Sequence, residues 1–321
     1  MKYLKNFIMM LNNNLNKEIK KFITHDGSFH SDDIFAAAAL SLMVEKDGFD
    51  FEIIRTRDEE IIKNGKEDEQ YVFDVGGIYD PEQNKFDHHQ SGGAGKRNGS
   101  LGEPGIEYAS FGLVWKKFGE KICGSKEVAE VLDNKLVAPI DAWDNGRDLV
   151  ENKHAISPYF IQHAMMAMQP TWREKDLTNE EMFSQSVTIA RELLYREIIH
   201  VQDWILAREK VAAIYRNTVD KRIIVLDQNY PFEYILNNFP EPVFVIYFKE
   251  SSNSWRVKSV REDPRTFKNR KDFPASWAGL KGEELQKVTG VSDAVFCHRG
   301  LFMVVAKTKE GAIKLAELAL L

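Results

Sequence analysis

Between residues 20 and 77, three short β-type runs alternate with two helical ones, and this alternation limits the fold more than any other feature of the chain. "KKFITH" (20–25), "FEIIRTR" (51–57) and "QYVFDVGG" (70–77) read as strands. "SDDIFAAAALSLMVEK" reads as a helix capped by Ser31 or Asp32, and "DEEIIKNG" as a short helix ended by Gly65. Strand, helix, strand at such spacing forms a parallel sheet with right-handed crossovers. The small alanine side chains of the first helix let it pack closely on that sheet. "IYDPEQNKFDHH" then makes a tight excursion turning at Pro81–Asn84.

Residues 91–105 hold six glycines in fifteen and read as a loop. "YASFGLVWKKFG", "KEVAEVLDNKLVAPIDAWDNG" and a long run over about 178–219 are helical in pattern. From about residue 221 the pattern changes. "RIIVLD", "VFVIYF" and "SWRVKSV" are β-type, the last two joined by Ser-Ser-Asn, a hairpin signal. A final strand, "LFMVVAK", lies between the helices "LKGEELQKVTG" and "KEGAIKLAELAL". The expected class is α/β: an N-terminal extension (1–21), a parallel-sheet domain (22–150), a helical connector (151–220) and a smaller α+β domain (221–321).

Composition excludes several alternatives. The 321 residues carry a formal net charge of −6, so no global field draws the chain to nucleic acid, although a local basic groove is allowed. The two cysteines, Cys123 and Cys297, cannot build a disulfide framework or a Cys-rich zinc site, and a reducing compartment is the default. No apolar run reaches the roughly 20 residues of a membrane span. "MKYLKNFIMMLNNNLNKEIKK" lacks a signal-peptide cleavage pattern. The expectation is a cytoplasmic protein without membrane partners, with organelle or nuclear targeting through the N-terminal segment as the alternative.

The chemistry-bearing residues fall at strand ends. His25 closes the first strand, with His30 and Asp32 in the loop that follows. Asp74 closes "YVFD", and Asp87, His88 and His89 close the excursion. In open parallel sheets, sites form outside the carboxyl ends of the strands. Each motif alone is weak, since a polar loop or a helix cap explains it as well. Three successive strand ends are a poor coincidence. Imidazoles mixed with carboxylates, and no thiolates, suit Mn²⁺, Fe, Co²⁺ or Zn²⁺. There are more donors than one ion takes, so two ions are expected, with Asp74 the natural bridge and a hydroxide between them as nucleophile. A ligating His needs its other nitrogen held, and Asp87 can do that. At the strand end His88 can then bind metal while His89 turns to the substrate. Asp141 and Asp144 of "PIDAWDNG" compete as a further ligand.

These residues resemble a known family. "ITHDGSFHSDD", "RTRD", "YVFDVGGIYDPEQNKFDHHQ", "GLVWKKFG" and "IDAWDNG" occur in the order found in the melanocyte proliferating gene product (MYG) family, a branch of the DHH phosphoesterase superfamily. "FPASWAGLKGEEL" and "AVFCHRGLF" are similar to the family's C-terminal part. The resemblance implies a two-domain DHH fold with two divalent ions, often Mn²⁺ (Mg²⁺, Co²⁺ and Zn²⁺ being alternatives), in the cleft between domains. Carried over by position, one ion takes His25, His30 and Asp74. The other takes Asp32, Asp74, His88 and Asp141. His30 stands where the superfamily has Asp, one residue further from His25, and Phe111 stands where Ala is usual.

Family members are described as metal-dependent hydrolases, some as 3′-5′ RNA exonucleases. In that role His89, Asp87 and Arg57 are the expected catalytic residues, with Arg55, His298 and Arg299 gripping the substrate. Salt bridges to Asp58 or Glu59 explain the two arginines equally well. Arg256, Lys258 and Arg261 form a candidate backbone-binding stripe, and Trp255 and Trp277 are candidate stacking surfaces. The expected partner is single-stranded RNA or DNA. The alternatives are a small phosphoester substrate, or an inactive binding module. A homo-oligomer is compatible with all three readings.

Overall fold

The structure is a computed structural model that describes residues 17–63, 69–99 and 105–321. Gly65, expected to end the second helix, and most of the N-terminal extension lie outside the described residues. The chain divides into two compact units that meet at Val201 and Gln202.

In the first unit, β1 (Ile19–Thr24), β2 (Asp50–Arg55), β3 (Gln70–Phe73), β4 (Tyr79–Asp80) and β5 (Lys85–Phe86) form one sheet in the order β2-β1-β3-β5-β4. β1, β2, β3 and β5 are mutually parallel, and only β4 runs against its neighbour. Being parallel, all four of these strands end at one edge. Asp80 caps the turn between β4 and β5 by accepting from the backbone of Glu82 and Gln83, and Asn84 takes the left-handed conformation that closes it.

Between β1 and β2 runs α1 (Ser31–Lys46). Ala36–Ala39 are fully buried, so the helix has no outward apolar stripe to distinguish; it is enclosed on nearly every side. α2 (Glu59–Lys63) follows β2, and α3 (Ser110–Cys123) follows the glycine-rich loop and packs against α1. Phe111, the residue at odds with the family pattern, is fully buried with its ring centroid 5.5 Å from Phe35 and 5.9 Å from Trp115. It is a core ring.

α4 (Lys126–Leu132) and α5 (Ala138–Asp144) are joined without a break by a π-helical turn at Asp133–Val137. α6 (Ile161–Met166) and the 39-residue α7 (Asn179–Asn217) come next, and α7 carries the chain from the first unit into the second.

The second unit holds β6 (Ile223–Val225), α8 (Glu233–Leu236), β7 (Phe244–Lys249), β8 (Ser254–Ser259), α9 (Gly282–Thr289), β9 (Ala294–Cys297), β10 (Met303–Ala306) and α10 (Lys309–Leu320). Its sheet has the order β6-β7-β8-β10-β9, parallel only between β6 and β7. β7 and β8 form the expected hairpin, with Asn253 left-handed in the turn. Trp277 is 4% exposed inside the apolar core of this unit, which corrects its expected role as a stacking surface.

Candidate metal centre

The parallel strands deliver their polar ends to one cavity of about 1110 Å³ within the first unit. His25 follows β1, Asp74 follows β3, and Asp87, His88 and His89 follow β5. His30 and Asp32 start α1, and Asp144 ends α5.

Asp74 is the hub. Its backbone sits at φ 55°, the left-handed region that Asp and Asn enter more readily than other non-glycine residues. That turn, continued through Gly76 and Gly77, places the carboxylate between two imidazoles. Oδ2 lies 3.2 Å from His25 Nε2, and Oδ1 lies 3.4 Å from His88 Nε2. Burial works against ionisation of Asp74, but these two histidines hold its carboxyl well below the ordinary carboxylate range.

The surroundings of His88 point most directly to a cation site. Its Nε2 also lies 3.2 Å from Asp144 Oδ2, yet this buried nitrogen makes no hydrogen bond of acceptable geometry. Burial lowers the imidazole's proton affinity, and Asp144 and Asp74 outweigh it, so its pKa is pushed up to about 11. Asp32, fully buried, is raised well above the ordinary value by burial first and then by Asp144, Asp74 and Asp141. A buried nest of carboxylates and an orphaned ring nitrogen is costly unless a cation enters it.

The donor set fits such a cation. His25, His30 and Asp74 bring ligand atoms within 4.8 Å of one another; so do Asp74, His88 and His89, and so do Asp32, His88 and Asp144. Asp74 belongs to two of these groups. His25 Nδ1 lies 2.9 Å from the Asp26 carbonyl and donates to it, which leaves Nε2 as a lone-pair donor to the site. Nitrogen and carboxylate donors without sulfur match Mn²⁺, Co²⁺, Zn²⁺ or Fe. Asp32 is held in place from the other side, accepting from the backbone N–H groups of Ser110 (3.0 Å) and Phe111 (2.7 Å) at the start of α3.

The structure separates Asp141 from this cluster. Its Oδ1 accepts from Gly112 N at 3.0 Å and its Oδ2 from Arg97 Nη1 at 2.7 Å, so the carboxylate expected to be a ligand is spent in an ion pair. Arg97 also holds Asp133 with both Nε and Nη2 at 2.7 Å. Asp144, one turn further along α5, faces His88 instead. Asp33, which sequence reasoning passed over, is fully buried, caps His30 N at 2.9 Å, and leaves Oδ2 3.3 Å from His25 Nε2.

His89 is more open, its side chain 61% exposed, and Asp87 orients it through a 2.7 Å contact to Nδ1. Asp87 is anchored in turn by the N–H groups of Gly77 and His89. The contact with Asp87, opposed by partial burial, raises the pKa of His89 above the ordinary value. Arg57 lines the cavity and reaches Asp26 at 3.1 Å. Arg55 does not line it. Its side chain is 3% exposed, lies over the rings of Phe29 and Phe183, and donates to the Gly27 carbonyl at 2.8 Å. That position corrects the expectation of a free phosphate clamp.

His298 and Arg299 belong to the second unit, just beyond β9, where His298 Nδ1 accepts from Gly300 N at 3.0 Å. Of the expected basic stripe, Lys258 is paired with Glu233 at 2.6 Å and Arg261 donates to the Pro264 carbonyl at 3.2 Å. Trp255 remains half-buried beside Phe248.

An α/β unit whose parallel strands end in a shared His and Asp donor cluster has the donor set of a metal-binding class of protein. Comparison with known proteins narrows it. A family model described as "Uncharacterised protein family (UPF0160)", MYG1_exonuc, matches residues 21–320, and the chain belongs to this family. It is 30% identical to the human protein named MYG1 exonuclease, over 92% of this chain and 85% of that protein. It is 31% identical to the MYG1 protein of Chlamydia pneumoniae, over 92% and 95% respectively. Among solved structures, a pGpG-specific phosphodiesterase from Vibrio cholerae aligns over 94% of this chain and 97% of that one, at 11% identity and a TM-score of 0.33.

Proposed function

We propose that the chain removes nucleotides from the 3′ end of single-stranded RNA with two divalent ions, Mn²⁺ foremost, held by the cluster around Asp74. The coarser class, a metal-dependent phosphoesterase, follows from membership of a family whose mammalian members are named exonucleases. The observation that carries the reading is Asp74, shared between two donor groups in one cavity.

His25, His30 and Asp74 would hold one ion, and Asp32, Asp74, His88 and Asp144 the other. When bound, such ions polarise a phosphoryl oxygen and make a water more acidic near neutral pH. The protein does the rest. His25 and His88 outweigh burial and favour the charged form of Asp74. His89, aimed by Asp87, offers Nε2 to a phosphoryl oxygen or to the leaving group. Arg57 supplies a cation at the cavity mouth, where it pairs bidentately with a phosphate once it leaves Asp26. In this reading the first unit performs the chemistry, and the second binds substrate through His298 and Arg299.

Hydrolysis of 5′-labelled single-stranded RNA and DNA and of pyrophosphate, with Mn²⁺ or with EDTA, tests this. A Mn²⁺-dependent ladder of 3′-shortened RNA, absent in Asp74→Ala, is expected. A ladder on DNA alone would change the substrate, and pyrophosphate cleavage without trimming would replace the exonuclease reading with a small-phosphate hydrolase.

A further inference from the structure

The candidate donors His25, His30, Asp74, His89 and Asp144 account for only part of the cavity lining. They leave Trp143, Gln162 and Met166 without a role, although all three line the same cavity. Trp143 directly precedes Asp144 on α5, so an indole enters the cavity one residue from a carboxylate that faces His88. It is 40% exposed, whereas Phe35, Phe73, Phe86 and Phe111 of the same unit are fully buried.

The ring is fixed in place. Phe160 and His163 meet it at steep angles, 61° and 78°, with centroids 6.0 and 4.8 Å away. His163 is itself held, its Nδ1 accepting from Phe160 N at 2.9 Å. Met166 adds a further exposed apolar surface. Gln162 is 5% exposed and donates through Nε2 to the Pro139 carbonyl at 3.1 Å, while its Oε1 accepts no hydrogen bond from the described residues.

A flat aromatic surface held open beside a phosphate-handling centre loses no rotamer freedom when a second ring settles on it. Phosphate and sugar alone make no use of it. A nucleobase does, because every base has a π-face and stacking tolerates any sequence. We propose that Trp143 is the stacking platform for the base of the nucleotide whose phosphate lies at the Asp74 cluster, with Gln162 Oε1 free to accept from a base amino group or a ribose hydroxyl. This rests on the phosphoester reading and narrows it to substrates that carry a base. Other exposed apolar side chains of the region, Ile156, Tyr159 and Trp172, are outside the cavity lining and take no part.

Adenosine 5′-monophosphate and ribose 5-phosphate differ only by the base, and calorimetry with the Mn²⁺-loaded full chain compares them. The expected preference for the nucleotide is about 5- to 150-fold, the range of one base–aromatic stack. Trp143→Ala brings the ratio of affinities close to one, Trp143→Leu does the same while keeping apolar bulk, and Trp143→Phe retains most of the preference. A wild-type ratio near one overturns the platform, as does a preference that survives in the folded Leu variant. The outcome is separable from the exonuclease reading. A Trp143-dependent preference without RNA trimming keeps the platform and removes the exonuclease. Trimming without any preference does the reverse.

Discussion

Two groups of charge meet α5 one turn apart, one through Asp141 and the other through Asp144, and they have opposite fates. Around Arg97, two carboxylates meet one guanidinium, and Asp141 finds a further donor in Gly112 N; all the polar atoms there are spent. Around Asp74, carboxylates and imidazoles face one another with a ring nitrogen left unsatisfied. The first group is closed by the protein itself, and the second has the donor set to take a cation. A buried carboxylate is therefore no evidence of a metal site until its partners have been counted.

The largest effect separating the two groups is on turnover. Asp74→Ala removes the shared donor and should lower the rate by about 10³-fold or more, since an ion at the reacting phosphate contributes several kcal/mol. Asp141→Asn should keep most of the activity. Equal losses in both variants would erase the distinction between the groups.

The next effect is on stability. Arg97→Met strands Asp133 and Asp141, and breaking a buried pair from one side costs about 3–5 kcal/mol. Urea unfolding reads this directly. It also has a pH signature. Burial, opposed by Arg97, pushes the Asp141 carboxyl up to about 7. A carboxyl with a folded value above its unfolded one takes up a proton on folding, so its contribution to stability falls as pH rises through roughly 4 to 7. In Arg97→Met the decline should continue above pH 7, and Asp141→Asn should flatten it. A slope unchanged by either substitution would show that Asp141 is not the source.

Metal addition gives a smaller shift. Filling one of the two ion positions with Mn²⁺ at a hundred times its dissociation constant should stabilise the chain by about 2.7 kcal/mol. Asp144→Asn should reduce that gain, and Asp141→Asn should leave it intact; the opposite ranking would restore Asp141 as the ligand. The smallest effect is the control. The exposed pair of Arg222 and Asp220 lies in the second unit, and Arg222→Ala should not move the urea midpoint measurably.

Much of this was legible in the sequence, because strand ends in a parallel sheet are ordered by topology. "KKFITH", "QYVFD" and "NKFDHH" had to end at one edge once their strands were parallel, which brings His25, Asp74 and His88 together. What was not legible depends on contacts across long chain separations. Arg55 looked like a free clamp beside Arg57, yet Phe183, contributed by α7, closes over it. Trp277 and Trp143 are the same residue type, and only packing makes one a core ring and the other a cavity wall. Asp141 and Asp144 share a face of one helix, and their competition is decided by Arg97, which arrives from the glycine-rich loop.

The π-helical turn at Asp133–Val137 has a consequence for how this chain can vary. An α-helix advances about 100° per residue, and a π turn holds one residue more than an α turn. Deleting a single residue there would let α4 run into α5 as one regular helix and leave Asp141, Trp143 and Asp144 on the faces they now occupy, because the wide turn completes the same rotation with one residue more. The extra residue is thus the one length change this helix absorbs: a further insertion or deletion, with no wide turn to take it up, would rotate the C-terminal half by about 100° and uncouple the donor, the indole and the Arg97 pair in one step.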